Sequence, residues 1–131
     1  MGARDRELID FTKAVLRIPS PSGKEGDVAR FLQHKMQELG FDDVIIDKYG
    51  NVIGIINGER EGKTILLDGH IDNVDVIDID MWKHDPWGAE EVDGKIYARG
   101  ASDMKASVCA MVMGAYYFAM GPKRKFAGRV C

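Results

Sequence analysis

Apolar residues first recur at helical spacing. Between Arg6 and Leu16 the positions Leu8, Phe11, Val15 and Leu16 fall on one stripe, and Pro19 and Pro21 then stop the helix. Ser20 to Gly26 reads as a turn-rich connection. A second helix is predicted from Gly26 to Leu39, with Val28, Phe31, Leu32, Met36 and Leu39 on one side and Gly40 ending it in a left-handed conformation. Both helices are amphipathic, so each is expected to cover a face of a sheet.

The period then changes. Val44-Ile45-Ile46 and Val52-Ile53-Gly54-Ile55-Ile56 are β-branched runs on either side of Tyr49-Gly50-Asn51, which predicts a hairpin. Gly58 to Gly62 reads as a polar turn. Thr64-Ile65-Leu66-Leu67 is a continuous apolar run, as expected of a strand buried on both faces. Lys95-Ile96-Tyr97 is a brief strand after the Asp93-Gly94 turn, and Met104 to Met120 is a long apolar helix closed by Gly121-Pro122. Phe126 to Cys131 looks like the start of another strand. Helices alternating with strands predict an α/β fold, with a mixed, mainly parallel sheet flanked by helices. No internal repeat or low-complexity tract is present. An α/β domain that ends on a half-written strand leads us to expect a truncated polypeptide, with residues 1–131 forming one part of a domain and no second domain.

Composition narrows the function classes. The chain has 131 residues, 45% hydrophobic and 30% charged, which suits a globular protein. A net charge of −3 gives no basic field for nucleic acid or an anionic membrane. The run Lys123-Arg124-Lys125 reads as a solvated turn. No apolar stretch approaches the roughly 20 residues that span a bilayer, and the first residues lack the apolar core of a signal peptide. Cys109 and Cys131 form neither a metal-binding pair nor a disulfide framework, so a reducing cytoplasm is expected.

Two segments concentrate polar residues. In the first, the run Leu66-Leu67 leads into Asp68-Gly69-His70-Ile71-Asp72. In extended backbone His70 and Asp72 share a face, and the carboxyl ends of strands are where ligands bind in open α/β sheets. A histidine there can ligate a metal while the carboxylate accepts its other N–H. Equally, the pair can be a histidine satisfied by its neighbour at a strand end. In the second, Tyr97-Ala98-Arg99-Gly100-Ala101-Ser102-Asp103-Met104-Lys105 leads from a strand into the long helix. Asp103 suits a helix N-cap and also a carboxylate bridging two cations.

Together the segments resemble one family. Gly69-His70-x-Asp72, Trp82 with Asp85-Pro86-Trp87, Asp93-Gly94, and Arg99-Gly100 with Asp103-x-Lys105 follow the order and spacing of the dinuclear-zinc superfamily. That superfamily includes acetylornithine deacetylase, succinyl-diaminopimelate desuccinylase, aminoacylase and carboxypeptidase G. Pro19-Ser20-Pro21-Ser22 with Glu25, and Tyr49-Gly50-Asn51, are similar to its opening, so the likeness covers nearly the whole chain.

The resemblance implies a zinc-exopeptidase-like catalytic domain, of which this chain is the amino-terminal part. It implies His70 as a zinc ligand, Asp72 as the catalytic-site residue orienting it, and Asp103 as the bridging ligand in a cis Asp103-Met104 peptide. It implies two zinc ions in the complete site, with cobalt or manganese able to replace them. The substrate would be a small N-acyl amino acid or short peptide, cleaved at an amide bond. A homo-oligomer is compatible with it, the family's lid and dimerisation domain lying beyond this chain.

Some positions depart from the pattern. Ala98 stands for a glycine, Ala106-Ser107 for a glycine-rich helix start, and Asn73 and Asp75 for an apolar residue and a proline. The family's Glu-Glu pair, a further acidic ligand and a late histidine do not follow Asp103. Glu90-Glu91 precedes it and reads as a solvated charged turn, while His34 and His84 carry no assigned chemistry. The chain alone is therefore expected to be inactive. A non-catalytic binding or assembly module that keeps the fold is the alternative. A neighbouring zinc aminopeptidase family shares His-x-Asp but fits the Arg-Gly block less well.

Overall fold

The computed structural model describes residues 2–120 and 124–131. The expected Gly121-Pro122 helix stop and Lys123 of the basic run lie outside the described residues. By their contacts the residues divide into two compact units. One holds the chain up to Val28 with Gly69–Ala110, the other Ala29–Asp68 with the chain from Met111 onward. The division falls within two helices, α2 (Gly26–Glu38) and α3 (Ala106–Ala119).

The first unit is built around helix α1 (Ala3–Leu16), which buries Phe11, Thr12, Val15 and Leu16. Val28, Ala89 and Cys109 are also buried. A two-stranded hairpin pairs β4 (Glu90–Val92) with β5 (Lys95–Tyr97), in the register Glu90 opposite Tyr97 and Val92 opposite Lys95. Asp93 and Gly94 both take positive φ, 50° and 73°, the conformation that two-residue hairpin turns require. Glu90 and Glu91 are thus strand residues rather than a solvated turn. Glu91 accepts from Arg6 at 3.1 Å and Lys13 at 3.2 Å on α1, and Glu90 lies 2.7 Å from His84 Nδ1. Arg17 Nε donates to Gly88 O at 3.2 Å, a further tie between α1 and the segment leading into the hairpin.

The second unit carries a four-stranded mixed sheet in the order β1 (Asp43–Ile46), β2 (Val52–Asn57), β6 (Ala127–Val130), β3 (Arg60–Ile65). The β1–β2 hairpin forms where the β-branched runs place it, pairing Val44 with Gly54 and Ile46 with Val52. Helix α2 ends as expected: Phe41 N donates to Met36 O and Gly40 N to Gln37 O, with Gly40 at φ 76°. Ile56, Val130, Ala115 and Ala119 form a core cluster, joined by Phe41 and Phe126.

The sheet differs from expectation in two respects. Only β3–β6 is parallel, and the pairs β1–β2 and β2–β6 are antiparallel. The mixed α/β class holds, but parallel pairing does not dominate. Strand β3 also begins at Arg60, inside the expected turn, and is exposed throughout. Ile65, Leu66 and Leu67 are 58%, 67% and 41% exposed. The reason is position: β3 is an edge strand with β6 as its only strand partner among the described residues. Of the long apolar helix, Ala106–Ala119 is regular α-helix, and Ala101–Lys105 before it forms an irregular turn.

Candidate metal centre

The site lies in the first unit, where the chain leaves residues 66–69 and meets the turn before α3. The backbone passes closely at Gly69, where a Cβ would stand 2.9 Å from Met104 Cε and 3.1 Å from Val108 Cγ2. Across the site Gly100 has φ 80°, and a Cβ there would meet Lys105 Cδ at 2.9 Å. Glycine is needed at both places, by close approach at the first and by left-handed backbone at the second.

These two passages of the backbone bring three side chains together. His70 Nδ1 lies 2.9 Å from Asp72 Oδ1, and His70 Nε2 lies 2.9 Å from Asp103 Oδ1, although 33 positions separate His70 from Asp103. The Asp103-Met104 peptide is cis. Asp103 is not a helix cap: Asp103 and Met104 depart from helical dihedrals, and among the described residues the Asp103 carboxylate bonds only His70.

The routes to this convergence differ from the expected ones. Residues 66–72 are not regular strand, and β3 ends five residues before His70. Asp103 follows β5, which pairs with β4, whereas β3 pairs with β6. The two residues therefore do not stand at the ends of neighbouring strands.

Around this trio lies a second layer that the sequence reading did not assign. Ser22 Oγ donates to Asp72 Oδ2 at 2.5 Å. Asn73, 3% exposed, accepts at Oδ1 from Ser20 N at 3.1 Å, and its own backbone N donates to Ser20 O at 2.9 Å. Lys105 is fully buried, its Nζ donating to Ile18 O at 2.6 Å and to Ser20 Oγ at 3.1 Å. Asn73 was visible only as a departure from the family pattern. Lys105 sat inside a recognised motif with no sign of its burial.

Protonation follows the geometry. The hydrogen bond to Asp103 raises the His70 pKa above 6.5; desolvation opposes it, and weaker contacts with Asp72 add to the rise. The Ser22 hydroxyl, with His70 behind it, lowers that of Asp72. Burial pushes the Lys105 ammonium down to about 8 and the Cys109 thiol up to about 12.

The donors fit a divalent cation. His70 Nε2 and an Asp103 oxygen face each other. Two ligands on a tetrahedral zinc, at bonds of about 2.0–2.1 Å, stand roughly 3.3 Å apart, so the pair would open by a few tenths of an ångström. Among the described residues no group of three His, Cys, Asp or Glu side chains is placed to hold one metal ion, so the His70–Asp103 pair is an incomplete ligand set. A cavity of about 530 Å³ opens beside it, lined by His70, Asp72, Asn73, Arg99, Gly100 and Asp103 among others.

Residues 66–125, which contain both His70 and Asp103, match the family model of peptidase family M20/M25/M40. Over 112 residues the chain is 35% identical to succinyl-diaminopimelate desuccinylase 2 of Ruegeria sp. (strain TM1040). These matches support the dinuclear-metal exopeptidase superfamily for this chain. The M20 likeness extends to structure. The M20 family metallo-carboxypeptidase Sso-CP2 of Sulfolobus solfataricus superposes with a TM-score of 0.77 at 27% identity, covering 99% of this chain and 30% of that one. The Escherichia coli (strain K12) protein YgeY is 36% identical over 107 residues, 81% of this chain and 26% of its own length. The desuccinylase match covers 84% of this chain and 28% of the enzyme. The chain thus spans about a quarter of the length of the curated relatives it matches.

No helix among the described residues is long and apolar enough to cross a membrane. His34 pairs with Glu38 one turn on at 3.6 Å, and His84 stacks on Tyr97 with ring centroids 4.0 Å apart. Both are accounted for by these local partners.

Proposed function

We propose that this chain is the amino-terminal part of an M20 catalytic domain, and that its parent hydrolyses an amide bond in a small N-acyl amino acid or short peptide. The carrying observation is that both His70 nitrogens face carboxylates, Asp72 at Nδ1 and Asp103 at Nε2. Asp72 accepts the Nδ1 proton, which fixes the tautomer and leaves the Nε2 lone pair for a metal. Ser22 holds Asp72 in place from its other oxygen. Asp103, with one oxygen toward His70 and a side chain 82% exposed, has its second oxygen free for another cation. A pair of zinc ions, when bound, supplies a water nucleophile at neutral pH and polarises the scissile carbonyl.

Among the described residues the cavity is lined by no carboxylate besides Asp72 and Asp103, so none is left to act as general base. Such groups contribute about 10²–10⁴-fold, so the purified chain with added zinc or cobalt should hydrolyse acetylated amino acids no faster than the free metal. Two unpaired cysteines suit the cytoplasm. Calorimetry with zinc tests the metal reading. Weak binding that is lost in His70→Ala supports it, since two protein ligands fall short of the three or four of a stable site. Binding that is tight and indifferent to the substitution would move the metal elsewhere and favour a non-catalytic module.

A further inference from the structure

Within the same cavity one cation has no anion among the described residues. Arg99 lines it together with His70, Asp72 and Asp103. Its guanidinium carbon sits 4.8 Å from the centre of the Trp82 ring, so the group rests on an indole face. Its backbone N donates to Pro86 O at 2.8 Å, which fixes the start of the side chain. Beyond that stacking the side chain has no hydrogen bond or ion pair among the described residues. Its Nε is buried without a partner, and the two terminal nitrogens, equally unpaired, remain open to solvent. Other arginines of the chain are satisfied: Arg17 and Arg129 give their Nε protons to Gly88 O and Thr64 Oγ1.

Two carboxylates share the cavity, yet neither neutralises Arg99. Asp72 is taken by Ser22 and His70, while Asp103 turns Oδ1 to His70 and, among the described residues, makes no ion pair with Arg99. A half-buried guanidinium left unpaired costs stability, because its donors give up water without a replacement. Its planar fork matches a carboxylate in shape and charge. Stacking on Trp82 orders it before any ligand arrives, so little rotamer freedom is lost on binding.

We infer that Arg99 is a carboxylate-binding residue of this cavity, holding an anionic end of the substrate beside the His70–Asp103 pair. As a statement about substrate this rests on the reading of that pair as a metal centre. A carboxylate can reach Arg99 from the amine side of the scissile amide or from the acyl side. Two probes separate these sources: N-acetylglycine carries it on the amine side and succinamic acid on the acyl side. N-acetylglycinamide has the same amide and no charge.

The experiment follows the Arg99 Nε–Hε resonance of the ¹⁵N-labelled, metal-stripped chain during titration with each probe at constant ionic strength. At least one acid should shift that resonance saturably while N-acetylglycinamide leaves it in place, and the acid that does so names the side. Arg99→Gln should weaken binding about tenfold or more, the worth of charge-assisted hydrogen bonds. Arg99→Lys, which keeps the charge but loses the fork, should fall between. If both acids behave like the neutral amide, or bind Arg99→Gln as well as the wild type, Arg99 merely covers Trp82 and the inference is overturned. Zinc calorimetry on the same proteins keeps the two ideas apart. Zinc binding without acid binding would sink only the role of Arg99, whereas acid binding without zinc binding would sink the metal centre.

Discussion

His70 Nε2 and Asp103 Oδ1 stand 2.9 Å apart, joined across 33 positions of sequence by a close backbone approach at Gly69 and a left-handed turn at Gly100. The contact is the largest cause of the raised His70 pKa. Asp103→Asn removes its charge, so the His70 pKa should fall back toward 6.5. An NMR titration of the imidazole in wild type and variant reads this directly. The sign for stability is fixed as well: a pKa raised by folding stabilises the protein below the unfolded value of 6.5 and loses that contribution as pH rises through the folded value. Zinc competes with the same proton, so affinity should decline once pH falls below the raised value. A His70 pKa unmoved by Asp103→Asn would mean that the contact does not persist in solution.

Lys105 should impose the opposite slope. Its folded pKa is about 8 against an ordinary 10.5, so between those values the unfolded chain binds more protons and stability rises with pH. The full difference is about 3 kcal/mol at 1.36 kcal/mol per unit, an upper figure. Denaturant melts from pH 7.5 to 10.5 should show the rise, and Lys105→Met should flatten it. Below pH 8 the same variant exchanges a desolvated charge for an Ile18 carbonyl that loses its Lys105 donor, while the Ser20 hydroxyl keeps Ile71 O and Asn73 Oδ1. A wild-type curve flat across this window would show that the ammonium stays solvated.

The exposed edge of β3 predicts self-association. Ile65, Leu66 and Leu67 present apolar surface beside a strand whose outer edge has no strand partner among the described residues, the combination that invites pairing with another chain. Light scattering across a concentration series should show mass rising with concentration, and Leu66→Lys should suppress it. A monomer at every concentration, in both proteins, would contradict this.

What the sequence made legible follows from local physics. The β1–β2 hairpin announces itself because β-branched residues flank a turn within a few positions. Gly40 ends α2 as written, since capping is settled by the residues adjoining it. Strand β3 misleads for the converse reason. An apolar run shows what a strand would bury, whereas its place at the sheet edge depends on β6, more than sixty positions later. Strand β4 hides because Glu90 and Glu91 are poor strand formers. Their partners Arg6, Lys13 and His84 come from elsewhere in the chain, although the Asp93-Gly94 turn was a signal for the hairpin. At the site, the residue types of His70, Asp72 and Asp103 were readable. The buried support from Ser20, Asn73 and Lys105 was not, because burial of a lysine or asparagine leaves no periodic trace.

The most direct test of the metal reading is a long-range ¹H–¹⁵N spectrum of the histidine side chains during addition of zinc. His70 should bind through Nε2 with its proton retained on Nδ1, facing Asp72. His34 and His84 should stay unchanged at the concentration that saturates His70, and Asp103→Asn should weaken the response. Zinc arriving at His34 or His84 first, or at Nδ1 of His70, would contradict the account.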